Sequence, residues 1–355
     1  PLRYKYRDRV QGEVFDPFVV LPALTLSSSE AVMVFNDQKP KSLNITLTAH
    51  RDAQKGSLSL QHPENWRVEP KYIDFDMPKA GSQANLSFTI YPPKEMLSGQ
   101  LIPLAQIGDQ FYTKSLLEIQ YPHIPKITVL EQAQTQVLKM NISRTTQRIG
   151  YIQGAGDAVN KGLEQLGYEG IPIMPERLNP EQLKTLDALV VGIRAFNTSQ
   201  ALVARMEMIN EYVAQGGLLL IQYQTTSGLL TKQMGPLPFV LGRDRVTDQD
   251  APMIFLDAKH PIFNEPNSMS TQDFEHWVQE RGLYFAQSWG PQFTPLIGMN
   301  DPGEAQTEGG LILGHYGKGT VVYTGISFFR QIPEGVSGAY KFLANLLSYR
   351  HDETN

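Results

Sequence analysis

The apolar residues of this chain change their period once, and that change constrains the fold more than any other feature. From residue 17 to about 121 they alternate, after a polar and aromatic stretch, residues 1–16, with no clear period. In "SLNITLTA", Leu43, Ile45, Leu47 and Ala49 fall on one side of an extended chain and Asn44, Thr46 and Thr48 on the other. That is a strand with one buried face and one wet face. "EAVMVFND", "GSLSLQ", "YIDFDM" and "ANLSFTIYP" read the same way, with turns such as "NDQKPK", "HPENW" and "PKAGSQ" between them. Short strands at such spacing predict a sandwich over residues 17–121. Trp66, in "PENWRVEP", is its candidate large core residue.

Beyond residue 146 the alternation gives way to runs and stripes. "RIGYIQG", "YEGIPIM", "ALVVGIR" and "LLLIQYQ" read as strands, and "ALVVGIR" lacks alternation, as expected when both faces are buried. Between them lie helical stretches: "DAVNKGLEQLGY" with Val159, Leu163 and Leu166 on one stripe, "PEQLKTLD", and a single long helix in "SQALVARMEMINEYVAQGG" ending at Gly216 or Gly217. Strand–helix alternation predicts a mainly parallel sheet flanked by helices. A long irregular stretch follows, then a strand pair turning at Gly317 and Gly319 and a closing helix, "GAYKFLANLLSYR". The expected organisation is an N-terminal extension (1–16), an all-β Ig-like sandwich (17–121), a linker and entry strand (122–145), and a flavodoxin-like α/β domain (146–355). A chain of 355 residues accommodates two or three domains.

Composition excludes some functions. With 31 Lys and Arg against 36 Asp and Glu, and no basic cluster, nothing points to nucleic acid. No apolar run approaches the roughly 18 residues of a membrane span. The absence of cysteine removes disulfides, thiolate metal sites and Cys nucleophiles. The first residue, Pro1, suggests a processed chain or a piece of a longer one.

Familiar site motifs fail on inspection. "YIQGAGDAVNKG" lacks the third glycine of a dinucleotide fingerprint, and Asp157 reads as a helix cap. The seven histidines, His351 included, form no HxH or HExxH pair, and in "STQDFEHW" Ser270 and Asp273 read as a capping box. No GxSxG elbow is present, so Thr225, Thr226 or Ser227 with His260 or His315 is a weak hydrolase candidate. The ends of the parallel strands are more informative, because ligands of open α/β sheets bind there. They carry Arg194, Asn197, Gln222, Tyr223 and Gln224. Guanidinium and amide groups suit a neutral polyol or a carboxylate, with Tyr223 or Phe196 as a stacking surface. The same polar groups could instead satisfy their own loops and each other.

The second half resembles the class I glutamine amidotransferase-like superfamily, in its ThuA-like branch. "ALVVGIRAFN", "GGLLLIQYQ", "HPIF" and "YGKGTVVYTGISFF" carry the likeness. Over nearly the whole length the chain resembles the C-terminal region of long bacterial PIG-L (LmbE-like) deacetylases, through "PENWRVEP", "RIGYIQGAGD", "WVQERGLYF" and "SFFRQIPEGVSGAYKFLANLLS". The resemblance places His260 and Arg330 at the same sheet edge. It implies a zinc deacetylase domain of N-acetyl sugars preceding Pro1, covalently linked. No AHPDD-type motif occurs here, so no zinc ligand or other cofactor is assigned to this chain. The amidotransferase cysteine falls near Gln222 or Tyr223, where neither side chain can form a thioester. The implied function is a non-catalytic accessory region, glycan-binding or positioning, of an exported deacetylase acting on carbohydrate or glycoconjugate. The alternatives are a ThuA-like sugar-active enzyme and a purely structural or assembly module.

Overall fold

The computed structural model describes residues 2–350 apart from residues 11 and 122; His351 and the rest of 351–355 lie outside the described residues. Strand accounts for 41% of the chain and helix for 16%, so β structure dominates even though half the length alternates with helices. The chain divides into two compact units, Pro1–Lys139 and Met140–Asn355.

In the first unit two sheets share one apolar core. One runs Leu24–Ser28, Lys41–Ala49, Gln83–Tyr91 and Arg67–Glu69; the other runs Val32–Phe35, Thr135–Lys139, Leu97–Ile107, Gln54–Gln61 and Ile73–Met77, with Gln110–Tyr112 beside Leu97–Ile107. Leu43, Ile45 and Leu47 from the first meet Leu58, Leu101 and Val137 from the second. Trp66 is buried there, edge-on to Phe35 at 5.2 Å between ring centroids. The pairing is not wholly antiparallel: Val32–Phe35 lies parallel to Thr135–Lys139. The expected linker is also corrected. Residues 122–145 contribute Ile124–Gln132, which forms a ribbon with Lys114–Tyr121, and Thr135–Lys139, an inner strand of the six-stranded sheet. Leu117 faces Val129 and Ile119 faces Ile127 across the ribbon, and these apolar pairs hold the stretch as paired strands in place of a connector. Residues 1–16 were given no period, yet Arg3–Asp8 and Gly12–Pro17 form a two-stranded ribbon.

The second unit holds a seven-stranded sheet. Its order is Glu169–Pro172, Arg148–Ile152, Ala188–Val191, Leu218–Ile221, Gly319–Thr324, Leu311–Tyr316 and Phe293–Pro295. The first five are mutually parallel and the last two antiparallel, so the sheet is mixed. Leu183, Ile209 and Val213 cover the face carrying Leu189, Val191 and Leu219. Helices Val159–Leu166 and Ser337–Ser348 pack against each other, and the latter also against Leu218–Ile221. With both faces covered, Ala188–Val191 and Leu218–Ile221 are buried at every position. The long helix expected after residue 199 is broken into Ala195–Thr198, Gln200–Val203 and Met206–Ala214. Ser199 caps the second piece by accepting from the Leu202 N–H, and the Arg205 guanidinium turns away to the Pro175 and Glu176 carbonyls. The late hairpin turns on Gly317 and Lys318. Gly319 is already in the strand, where a Cβ would lie 2.1 Å from the Val213 carbonyl oxygen.

Between Ile221 and Leu311 the chain forms three short strand pairs: Phe239–Leu241 with Ala286–Trp289, Arg245–Val246 with Gly282–Leu283, and Ile254–Phe255 with Ile297–Gly298. Buried polar groups hold them. Asp301 accepts from the N–H groups of Thr247 and Asp248 at 2.8 Å. Arg281 donates to the carbonyls of Ala251 and Phe274, and burial pushes its guanidinium down to about 10.

Candidate functional site

The carboxyl ends of Ala188–Val191 and Leu218–Ile221 are neighbours, so the residues that follow them meet. Most of the amides there are consumed by the turns. Gln224 accepts from the Phe196 N–H at 2.9 Å and donates to the carbonyls of Gly192 and Gln222. Asn197 accepts from the Thr225 N–H and donates to the carbonyls of Thr225 and Ser227. Gln222, 1% exposed, donates to the Tyr151 hydroxyl at 2.8 Å, which donates to Asp157 at 2.6 Å. Asp157 also accepts from the Val159 N–H, tying the chain of contacts to the first helix. Burial and the neighbouring Asp157 carboxylate hold the Tyr151 phenol well above its ordinary value, so it remains a donor. Gln224 and Asn197 therefore satisfy backbone that the parallel sheet leaves unpaired at its edge, whereas Gln222 binds the Tyr151 phenol and its Oε1 is buried with no partner among the described residues. Phe196 is fully buried and offers no stacking face.

Three of the sequence candidates stay together at this edge: Arg194, which is exposed, Arg330, which is half-buried, and Tyr223, which is buried. Arg194 is exposed and occupies the left-handed region, φ 57° and ψ 19°, directly between a strand and a short helix. For a residue with a Cβ that conformation costs roughly 1–2 kcal/mol. This sharp, strained turn, and not the one at Gln222 or Tyr223, is where the sheet has an elbow. The Arg194 N–H donates to the Tyr223 carbonyl, binding the two turns together. The Tyr223 ring lies between Tyr284, stacked at 6.0 Å, and Phe329 at 5.0 Å. Tyr223 is 8% exposed, so its ring offers no open face, which corrects the expectation that a sugar would stack on it. The Arg330 guanidinium lies 4.9 Å above the Phe329 ring and pairs with Glu280. Burial pushes the Tyr223 phenol up, Arg194 and Arg330 pull it back, and Glu280 adds a smaller upward push.

His260 is elsewhere. Its ring stacks on Tyr349, whose hydroxyl approaches His315 at 3.5 Å. His315 pairs with Thr320, and Thr320 with Leu218, the first residue of its strand. His260 therefore sits by the amino ends of the parallel strands, because the closing helix starts at the carboxyl edge and returns Tyr349 to the opposite one. Its Nδ1 accepts from the Ile262 N–H, an ordinary cap of the short Pro261–Phe263 turn. Glu280 and Tyr284 were given no role in the sequence. They come from the irregular stretch, and Tyr284 also has a positive φ, 55°, the one local trace of its place in the cluster.

No group of three or more His, Cys, Asp or Glu placed to hold a metal ion occurs among the described residues, and the chain has no cysteine. Among the same residues no helix is long and apolar enough to cross a membrane.

No protein-family model matches the sequence, and no curated protein matches it. Some solved structures share a distant likeness. A family 123 glycoside hydrolase from Clostridium perfringens aligns with 57% of this chain at 9% identity and a TM-score of 0.23; the chain spans 38% of its length. An alpha-2-macroglobulin from Escherichia coli aligns with 32% of this chain and 16% of its own length, at 12% identity and a TM-score of 0.19. The Reelin-N domain of F-spondin aligns with 31% of this chain and 87% of its own length, at 13% identity and a TM-score of 0.19.

Proposed function

We propose that this chain is the non-catalytic accessory region of an exported PIG-L-type N-acetyl sugar deacetylase, and that it engages the glycan at the carboxyl edge of its mixed sheet. The observation that supports the reading is the cluster at this edge of exposed Arg194, half-buried Arg330 and buried Tyr223. The sheet order supports the finer fold reading. Numbered along the chain, its parallel strands run 2-1-3-4-5, the flavodoxin-like arrangement, and a two-sheet unit with a buried tryptophan precedes it, as in an Ig-like sandwich followed by an amidotransferase-like domain. The residues at the strand end favour binding without turnover: neither Gln222 nor Tyr223, where the amidotransferase cysteine would fall, can form a thioester.

The test is direct. The purified chain, with and without added zinc, is incubated with N-acetylglucosamine oligomers, and acetate release and binding are both followed. Binding without acetate is the expected result. With each net hydrogen bond contributing about 0.5–1.5 kcal/mol, a dissociation constant of about a millimolar is appropriate. Acetate release by this chain alone would remove the accessory reading.

A further inference from the structure

We infer that a groove on the second unit, sharing no residue with the carboxyl-edge cluster, binds a neutral oligosaccharide by seating one sugar ring on Trp289. This adds a second glycan site and does not depend on the first. The groove holds about 550 Å³, inside the range of about 300–1,000 Å³ usual for small-molecule sites. One wall comes from residues 232–240 and the other from residues 288–290. The walls are fastened together: Phe239 lies opposite Trp289 and Val240 opposite Ser288, and the Gly290 N–H donates to the Pro238 carbonyl at 3.0 Å. Leu237 and Phe239 are buried in the core of the unit, and Trp289 packs partly against the same core. Pro236 and Pro238 fix their own backbone angles, which stiffens the longer wall. The groove is therefore formed before a ligand arrives, and little ordering has to be offset on binding.

The lining chooses the occupant. Of the three tryptophans, Trp66 and Trp277 are 3% and 1% exposed, whereas Trp289 is only half-buried. Among the described residues no aromatic ring stacks on Trp289 and no group accepts its Nε1–H. A pyranose ring has an apolar C–H face and a rim of hydroxyls, and an indole offers a flat apolar surface with one donor at its edge. Hydroxyls both donate and accept, so their site needs groups that do the same. Gln233 and Ser288 are such groups; both are exposed in the groove, and among the described residues neither side chain is held by a hydrogen bond. No carboxylate lines the groove, and Lys232 is its single charged residue, so the fit is to an uncharged sugar. An apolar peptide segment would use Trp289 and the prolines but leave the Gln233 amide and the Ser288 hydroxyl without a role. The exposed Pro238 and Val240 leave the groove open to solvent, as an oligosaccharide running past the stacked ring requires.

Because the other two tryptophans are buried, intrinsic fluorescence reports on Trp289. The full chain is titrated with cellotriose and with the N-acetylglucosamine trimer, following tryptophan emission and, in parallel, binding heat. Each trimer should bind and shift the emission to the blue. Trp289→Ala should weaken binding about tenfold or more and abolish the shift. Trp289→Phe, which keeps a ring against the core, should retain part of the affinity, and Gln233→Ala should reduce it severalfold. Raising the salt concentration about tenfold should leave the affinity unchanged. Absence of trimer binding overturns the inference, as does binding that leaves the emission unmoved. A proline-rich peptide that shifts the emission where neither trimer does overturns it too. Should Trp289→Ala fail to fold, Gln233→Ala and Ser288→Ala decide, and unchanged affinity in both overturns the groove. Trimer binding that survives Trp289→Ala overturns the inference and leaves the accessory reading standing. Acetate release from the N-acetylglucosamine trimer, by a chain whose Trp289→Ala variant no longer binds it, removes the accessory reading and upholds the groove.

Discussion

The two units of this protein satisfy their backbones in different ways. In residues 2–139 the strands pair with one another over long registers, nine consecutive residues in Lys41–Ala49, and the ladder meets nearly every internal N–H and carbonyl. The buried polar side chains there are Thr25, Thr135 and Lys139. Residues 140–350 bury Gln222, Gln224, Asn267, Arg281, Asp301, Gln331 and Asn345, besides several hydroxyls. Their sheet is flanked by irregular connections whose backbone groups have no ladder to join, so side chains carry those hydrogen bonds. A two-sheet unit can thus be built from alternation alone, whereas an α/β unit with a long insertion needs buried amides at chosen points.

The largest test of that contrast is Asn345. It is fully buried, donates to the carbonyls of Ile262 and Asn267, and accepts from both the N–H and the side-chain amide of Asn267. Asn345→Ala leaves those groups unpaired and should lower stability by about 3–5 kcal/mol in chemical denaturation. Gln224→Ala, which strands the Phe196 N–H and removes bonds to the Gly192 and Gln222 carbonyls, should cost about 2–3 kcal/mol. A loss below roughly 1 kcal/mol for both would mean that the amides are incidental to the second unit.

In the first unit the corresponding change should be mild. The Trp66 Nε1–H is buried without a hydrogen-bond partner. Trp66→Phe removes an unsatisfied donor and leaves a small void, for a net loss of about 1 kcal/mol; Trp66→Ala should cost about 3–5 kcal/mol through the cavity. If Trp66→Phe proves as damaging as Trp66→Ala, the indole N–H has a partner and the first unit also depends on a buried polar contact.

The smallest effect is on pH dependence, and it should appear in both units. Burial lowers the pKa of His50 and of His260, each of which is also drawn slightly upward by a carboxylate, Glu118 and Asp257 respectively. The folded state therefore favours the neutral ring. The associated stability is fully present above the unfolded value of about 6.5 and is lost as the pH falls through the lowered folded value. For His260 the proton also displaces the N–H of Ile262 from Nδ1. Melting temperatures at pH 7.5, 6.5 and 5.5 should decline, with His260→Gln flattening part of that slope. An unchanged slope would remove His260 as a contributor.

Much of the framework is legible locally. The alternation in Lys41–Ala49 marks its buried face, and Val159, Leu163 and Leu166 form the buried stripe of their helix. The Ser270–Asp273 box and the Asp157 bond to the first helix also rest on residues close in sequence. The broken helix after Ser199 is not legible, because the second and third pieces are separated by contacts of Arg205 with carbonyls some thirty residues away. The site is legible only in outline. Strand ends mark Arg194 and Tyr223, but Glu280 and Tyr284 arrive from an irregular stretch with no period to place them, and His260 is carried to the far edge by the returning helix.

The sequence by itself determined the principal strands of both units, which of their faces are apolar, and that no thiol chemistry is available, because periodicity and residue identity are local properties. Only the tertiary structure decided which polar groups are spent and which remain. Gln222, Gln224 and Arg194 look alike as polar residues at strand ends. The two amides are drawn inward because the adjoining turns present N–H groups, carbonyls and a phenol within their reach, while Arg194, its backbone in the left-handed region, stays exposed.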